Sequence, residues 1–284
     1  MIAFLAASAA DYRSSVEAWR HSYEERLRAP QGWLSVAGLF WLHEGQNRMG
    51  SDRQSDIVLP ASAPLVAGTV WFQHATAGTP KVSLQPAPGV GFMVNGKPSA
   101  GQELQPDTSS RPDTVTLGNL SLMVIQRGPR TGIRLRDPES AARRQFSGLH
   151  WYPIDEHYRI HARWHPYTPP RKIPITNVLG MTEEEEAPGY AEFDLGGKTW
   201  RLEPTVEDNT LFFTFRDQTA GSETYPSGRF LNTDMPARGE LIIDFNQAHN
   251  PPCAFTSFAT CPLPPKQNWI GVPIPAGEKR YGRH

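Results

Sequence analysis

Apolar positions recur along the start of the chain at steps of four, three, four and four, through Tyr12, Val16, Trp19, Tyr23 and Leu27. That spacing puts them on one face of a helix. Asp11 is expected to cap it and Pro30 to end it after Ala29. The aromatic stripe reads as a docking face. Residues 32–42 follow as an apolar run, expected to be buried and too short to span a bilayer. After Gly45 the texture changes to short apolar or alternating runs, at residues 57–59, 69–72, 82–84, 91–94, 115–117, 121–126 and 132–135. Gly, Pro, Asn or Asp clusters separate nearly all of them. Strands of this length and spacing predict a small β-sandwich. A second β-rich region starts at Tyr158, where Tyr158, Ile160, Ala162 and Trp164 alternate with Arg159, His161 and Arg163. Residues 190–195 and 198–203 flank Gly196-Gly197, a two-residue hairpin turn that needs positive φ. Residues 211–216 and 241–245 add strong strands, so an antiparallel barrel or sandwich is expected. Residues 183–186, four glutamates near Pro188, read as a solvated loop tip. The expected division is 1–45 for the helix and buried run, 46–137 for the sandwich and 138–284 for the second β domain. The fold class is mainly β.

Composition narrows the function. The chain has 284 residues with 28 basic and 29 acidic side chains, a net charge of −1. No global basic field exists to neutralise phosphates, which argues against nucleic acid as a partner. With 24 glycines and 27 prolines, turns and short strands are favoured over long helices. No run approaches the ~20 apolar residues of a membrane span. Residues 2–10 are apolar and small but lack the basic region and length of a secretory leader. A cytoplasmic protein is therefore expected, the alternative being an exported one whose leader starts upstream. No phosphate-binding loop, dinucleotide fingerprint, Gly-x-Ser-x-Gly elbow or paired-histidine metalloprotease helix is present, so no cofactor is expected.

Within residues 46–136, Asn47-Arg48-Met49-Gly50-Ser51 leads into Asp56-Ile57-Val58-Leu59-Pro60. Val94-Asn95-Gly96-Lys97-Pro98 and a late Leu117-Gly118 follow. This stretch resembles a forkhead-associated domain. The phosphothreonine pocket of that family needs an arginine just after the first glycine, and a serine and a histidine three residues apart. Here Ser51 follows Gly50, and Leu65 stands three residues after Ser62. A phosphate dianion needs a charged or multi-donor cradle, so the resemblance implies the fold without phosphopeptide recognition. Toward the C-terminus, Asp244-Phe245-Asn246-Gln247-Ala248-His249-Asn250-Pro251-Pro252-Cys253-Ala254-Phe255, then Cys261-Pro262-Leu263-Pro264-Pro265 and Ala276-Gly277-Glu278-Lys279, are distinctive. With Gly32-Trp33-Leu34 and Gly228-Arg229-Phe230-Leu231 they resemble the bacterial family known as domain of unknown function 1684, roughly over residues 19–282. That resemblance implies kinship and no assigned reaction.

Candidate chemistry collects in the second half. Strand parity puts Asp244 and Asn246 on one side, opposite Leu241, Ile243 and Phe245. Leu211, Phe213 and Phe215 share a face that ends at Asp217, and Glu203 closes the hairpin strand. Glu223, Tyr225 and Arg229 follow in the next loop. The leading expectation is a polar-ended, aromatic-lined cleft that takes a small-molecule ligand. In a carboxylate-dependent hydrolase, Glu223 and Asp244 would act with Arg229 steadying negative charge, while Glu203, Asp217, Tyr225 and Asn246 bind ligand. One alternative is a non-catalytic small-molecule or lipid-binding protein. Another is an interaction scaffold using the forkhead-associated-like half. A third arrangement of the same residues is an Arg229–carboxylate brace with Asp244 and Asn246 capping turns. His157, His161 and His165 lie on a strand, where four residues span about 13 Å, so they cannot share one ion. His249, Cys253 and Cys261 leave three readings open, namely buried thiols, a disulfide or a soft-metal site.

Overall fold

The alternating runs become strands and the periodic run becomes a helix, giving 44 % strand against 14 % helix. The computed structural model describes residues 9–74 and 80–282. Of the apolar run at residues 2–10, residues 2–8 lie outside the described residues. Among those described, no helix is long and apolar enough to cross a membrane.

The described chain falls into two units, one of them Leu27–Phe146. This unit holds two sheets. The first runs in the order Val36–Trp41, Arg130–Arg136, Leu120–Arg127, Val115–Leu117, Phe92–Val94, Lys97–Ser99. The second runs Ile57–Val58, Gly45–Gly50, Gly68–Gln73, Lys81–Pro86, Gln102–Glu103. Inward residues of both, among them Met49, Val70, Phe72, Phe92, Leu122 and Ile133, share one apolar core, so the unit is a sandwich. Every run expected as a strand between residues 57 and 135 is one. The unit is wider than that stretch because Val36–Trp41, half-buried rather than sunk in the interior, pairs with Arg130–Arg136. Residues 141–144 form a short helix beyond it. Ser140 caps this helix, accepting from Arg143 N at 3.3 Å and donating to Leu34 O at 2.6 Å. Ser140→Ala is expected to cost about 1 kcal/mol, read as a lower denaturant midpoint with an unchanged slope.

Asn95 and Gly96 take φ of 51° and 75° and turn the hairpin Phe92–Val94/Lys97–Ser99. The Asn95 amide is used locally, donating to Asp113 at 2.5 Å and accepting from Thr114 N at 3.0 Å. Ser51 donates to Ala63 O at 2.9 Å.

The other unit contains most of the helix Ala9–Arg28 and the chain from Ser147 onward. Asp11 lies inside the first turn of that helix rather than capping it. Tyr12 and Val16 pack against Ile154. Trp19 and Tyr23 stack on each other at 5.5 Å. A four-stranded antiparallel sheet runs Lys198–Leu202, Thr182–Leu195, Arg159–Thr176, Glu240–Asp244. A three-stranded one runs Thr205–Glu207, Thr210–Phe215, Arg229–Thr233. Phe193, Leu202, Phe213, Leu231, Ile243 and Ile274 belong to one core spanning both. Gly196 and Gly197 turn the expected hairpin at φ of 61° and 74°. A second tight turn, Asp208-Asn209 at φ of 47° and 61°, makes a hairpin without any glycine and was not among the expected ones.

A further expectation fails. Residues 183–186 are not a loop tip. Glu183 to Glu186 lie in Thr182–Leu195 and pair with Lys172 to Ile175. Alternation marks only residues 158–164, whereas the partner strand runs Arg159–Thr176, carrying charge and proline through its exposed half.

Candidate functional site

Arg229 sits at the start of its strand, opposite Phe215. Gly228, at φ 95°, turns the chain into it with its Cα against the Phe215 backbone, where a side chain would clash. The guanidinium is 1 % exposed. It donates to Asp217 at 3.2 Å, to Ile274 O at 3.0 Å and to Ala276 O. Asp217, also buried, accepts from Ile274 N at 2.7 Å and from the Thr219 hydroxyl at 2.8 Å. The pair therefore clamps the extended segment 274–276 onto the sheet. Burial pulls the Arg229 pKa down, and Asp217 opposes the fall.

The neighbouring polar groups continue outward. Tyr152 lies close enough to Arg229 and Asp217 to feel both charges, and donates to the exposed Glu223 at 3.0 Å. Burial and that carboxylate push the phenol up to about 12. The Lys279 ammonium stands 4.5 Å over the Tyr152 ring. Glu278 is fully buried and accepts from Asn250 N at 2.8 Å and Asn250 Nδ2 at 2.7 Å. Desolvation raises its pKa to about 8 against those bonds. His249 packs among the Trp19, Tyr23 and Phe230 rings, and burial pulls it down to about 4.

Asp244 and Asn246 occupy a second network. The strand ends at Asp244 and residues 245–247 form a 3₁₀ turn, so strand parity stops before Asn246. The two residues still meet, because Asp244 caps that turn and accepts from Asn246 N at 3.1 Å. Tyr12 OH donates to Asp244 at 2.9 Å. The Asn246 amide donates to Tyr12 OH at 2.9 Å and Asp155 O at 2.8 Å, and accepts from Asp155 N at 3.0 Å.

Glu203 forms a third. It accepts from Tyr167 at 2.5 Å, Arg171 at 3.3 Å and Gln267 at 2.8 Å. Asn268 holds its backbone, accepting from Glu203 N at 2.8 Å and donating to Glu203 O at 2.9 Å. Tyr225 donates to Cys253 O at 3.1 Å. The structure thus brings Arg229, Asp217 and Glu223 into one neighbourhood through Tyr152, and places Asp244 with Asn246, Glu203 and Tyr225 in separate ones.

Beside the Glu203 network an open cleft of about 610 Å³ is present, and Gln267 reaches from its rim to Glu203. Pro174, Leu263 and Pro264 wall it, with Arg216, Lys266 and Trp269 supplying its aromatic and cationic groups. Trp269 is 48 % exposed. Its indole N–H donates to Pro264 O at 3.1 Å, which fixes the ring plane. The Arg216 guanidinium lies 5.1 Å from the ring centroid. Among the described residues no carboxylate lines this cleft. Sequence parity could not find it, because proline-rich segment 262–269 has no strand period. The only signal was a lone Trp after Pro264-Pro265-Lys266.

Among the described residues no three His, Cys, Asp or Glu side chains are grouped to hold a metal ion. His165 stacks on Tyr190 at 4.7 Å and faces Glu192 at 3.6 Å.

The molecule is thus a mainly β protein with a sandwich unit and a second antiparallel β unit carrying this cleft. The model of the family described as "Protein of unknown function (DUF1684)" matches residues 144–279 of the chain. That match is shorter than the likeness read from the motifs, and covers the β unit that holds the cleft. No curated protein matches the chain. Among solved structures, an uncharacterized protein from Haloarcula marismortui is similar at 31 % identity, over 48 % of this chain and 78 % of that one, with a TM-score of 0.41. The FHA domain of FhaA, solved with the intracellular domain of Rv3910, is similar at 17 % identity over 34 % and 97 %, TM-score 0.24. The Slr1951 protein from Synechocystis sp. is similar at 14 % identity over 34 % and 83 %, TM-score 0.24.

Proposed function

We propose that the second β unit is a ligand-binding module whose cleft takes a small anionic molecule with a flat apolar body. One observation carries this reading: an exposed, hydrogen-bond-fixed Trp269 with Arg216 stacked on it, in a cleft with Lys266 and no acidic wall. A fixed indole gives apolar area at little entropy cost, and the two cations favour a negative group. Ligand sites of this kind are concave, apolar and few-donored. Binding is favoured over carboxylate-dependent hydrolysis because Asp217, Asp244 and Glu203 each accept several hydrogen bonds from the protein itself, within networks that brace strand ends. A general acid or base needs reach to a substrate, and of the predicted carboxylates only Glu223 is exposed.

The probe for this is 1-anilinonaphthalene-8-sulfonate, an aromatic anion, titrated by fluorescence against the folded protein. Trp269→Ala is expected to weaken binding about tenfold or more, the order of one buried ring contact. Arg216→Ala should weaken the sulfonate while leaving the uncharged parent, N-phenyl-1-naphthylamine, less affected. Equal affinity in the wild type and both variants would remove the cleft as the site.

A further inference from the structure

Two sulfurs stand apart from the cleft's proposed chemistry. Cys253 lies in the 3₁₀ turn Pro252–Ala254, entered through Pro251 and Pro252, each with its own φ fixed by its ring. Cys261 is held from the other side, its carbonyl accepting from Val178 N at 3.0 Å and its neighbour Pro262 bridged to Asn177. Both are thiols. The two anchors bring them together, with the Cys253 backbone N–H donating to Cys261 Sγ at 3.2 Å and the side chains in hydrogen-bond contact. Exposure divides them, because Cys253 is half-buried and Cys261 is 5 % exposed.

We propose that Cys253 and Cys261 form a dithiol–disulfide exchange centre for low-molecular-weight disulfides, with Cys253 the sulfur that meets the reagent and Cys261 the one that resolves. The Cys253 thiolate attacks one sulfur of a small disulfide RSSR, forming a Cys253–SR mixed disulfide and releasing RS⁻, which takes the proton lost by Cys253. Cys261, deprotonated as it attacks, then bonds to the Cys253 sulfur and displaces the second RS⁻, which leaves as RSH. Two thiols are oxidised to one disulfide and RSSR is reduced to two RSH. The Cys253 N–H favours negative charge on Cys261, as nucleophile in this direction and as leaving group in reverse. The pull of Cys261 and Tyr225 on the Cys253 thiol, which lowers its pKa, acts in the same sense. The resulting bond would close the segment just before the cleft wall at Leu263.

The test uses the full chain, reduced and desalted, with oxidised glutathione as reagent and intact mass with peptide mapping as readout. The wild type is expected to lose two hydrogens and keep no adduct, with Cys253 and Cys261 in one cross-linked peptide pair. Cys261→Ser should trap one glutathione on Cys253. Cys253→Ser should react about tenfold more slowly or less, its one thiol being enclosed. A glutathione adduct that persists on the wild type would overturn the resolving role. Reaction of the urea-unfolded chain but not of the native one would overturn the centre altogether. Both of these results come from the wild type, so they stand even where a variant fails to fold.

Discussion

Arg229→Met lowers the stability of the second β unit by about 3–5 kcal/mol, the cost typical of breaking a buried ion pair by removing one partner. The substitution keeps most of the apolar stem over Phe215, where the guanidinium carbon now lies 5.2 Å from the ring centroid. What it removes is the fork. Asp217 is left charged and buried, still accepting from Thr219 and Ile274 N but without its cation. The Ala276 carbonyl loses the Arg229 donor, while Ile274 O keeps Ala276 N at 2.8 Å, and a buried acceptor without a partner costs about 1–3 kcal/mol. Urea unfolding followed by circular dichroism measures the loss. The double variant Asp217→Asn/Arg229→Met should recover part of it, because the stranded charge is then gone, and the cycle of four proteins gives the coupling. A single-variant loss under about 1 kcal/mol would mean that the pair is solvated and does not clamp segment 274–276. Arg229 would then be free to act on a ligand, the role its sequence neighbourhood suggests.

How much of this was legible before the fold was known follows from what each signal measures. Period-2 and period-3.6 patterns report burial on one side of a regular element, so the sandwich strands, the hairpin at Gly196-Gly197 and the helix through Tyr12, Val16 and Leu27 were all visible. The polar half of Arg159–Thr176 was not, since exposed strand residues carry no period and four consecutive glutamates resemble a solvated loop. The site residues fared differently. The sequence placed Arg229 near several carboxylates without choosing one, and only the fold and its burial pair it with Asp217 as a clamp. Asp244 and Asn246 were grouped by a strand parity that ends two residues before Asn246, yet they meet because an aspartate at that position caps the turn. Tyr152 and Glu278, which complete the ionic neighbourhood, come from a linker and a tail without a hydrophobic period, and the motif around Glu278 marked kinship rather than burial. Trp269 and Arg216 are neighbours across 53 residues of chain, joined by an isolated bridge between their backbones, and no local rule in the sequence predicts that pairing.

Glu278 and His249 give the protein a stability profile that falls on the alkaline side of pH 6.5. A carboxyl whose folded pKa is raised, here from 4.5 to about 8, favours folding below its unfolded pKa. That contribution is lost as pH climbs through the folded value, because the unfolded chain releases the proton first. A histidine lowered from 6.5 to about 4 has the opposite slope, its contribution rising with pH between those values. From about pH 4.5 to 6.5 the two slopes cancel. Between pH 6.5 and 8 only Glu278 remains of the pair, at up to about 1.4 kcal/mol per pH unit, a loss of about 1.5 kcal/mol over that window. Cys253, lowered from 9, works against this decline toward its upper end, so the raw profile mixes the two and a variant must separate them. Glu278→Gln has no proton to release. It keeps an acceptor for one of the two Asn250 donors, so it lowers stability at pH 5.5 and flattens the segment from 6.5 to 8. The difference between wild-type and variant unfolding free energies, measured at several pH values across that window, should therefore shrink steadily as pH rises. A difference that stays constant would show Glu278 already ionised in the folded state, held so by Asn250 and the nearby charge of Arg229. The buried end of the tail would then be an anion paired with a cation rather than a neutral acid, and the Arg229 clamp would be shared between two carboxylates instead of belonging to Asp217.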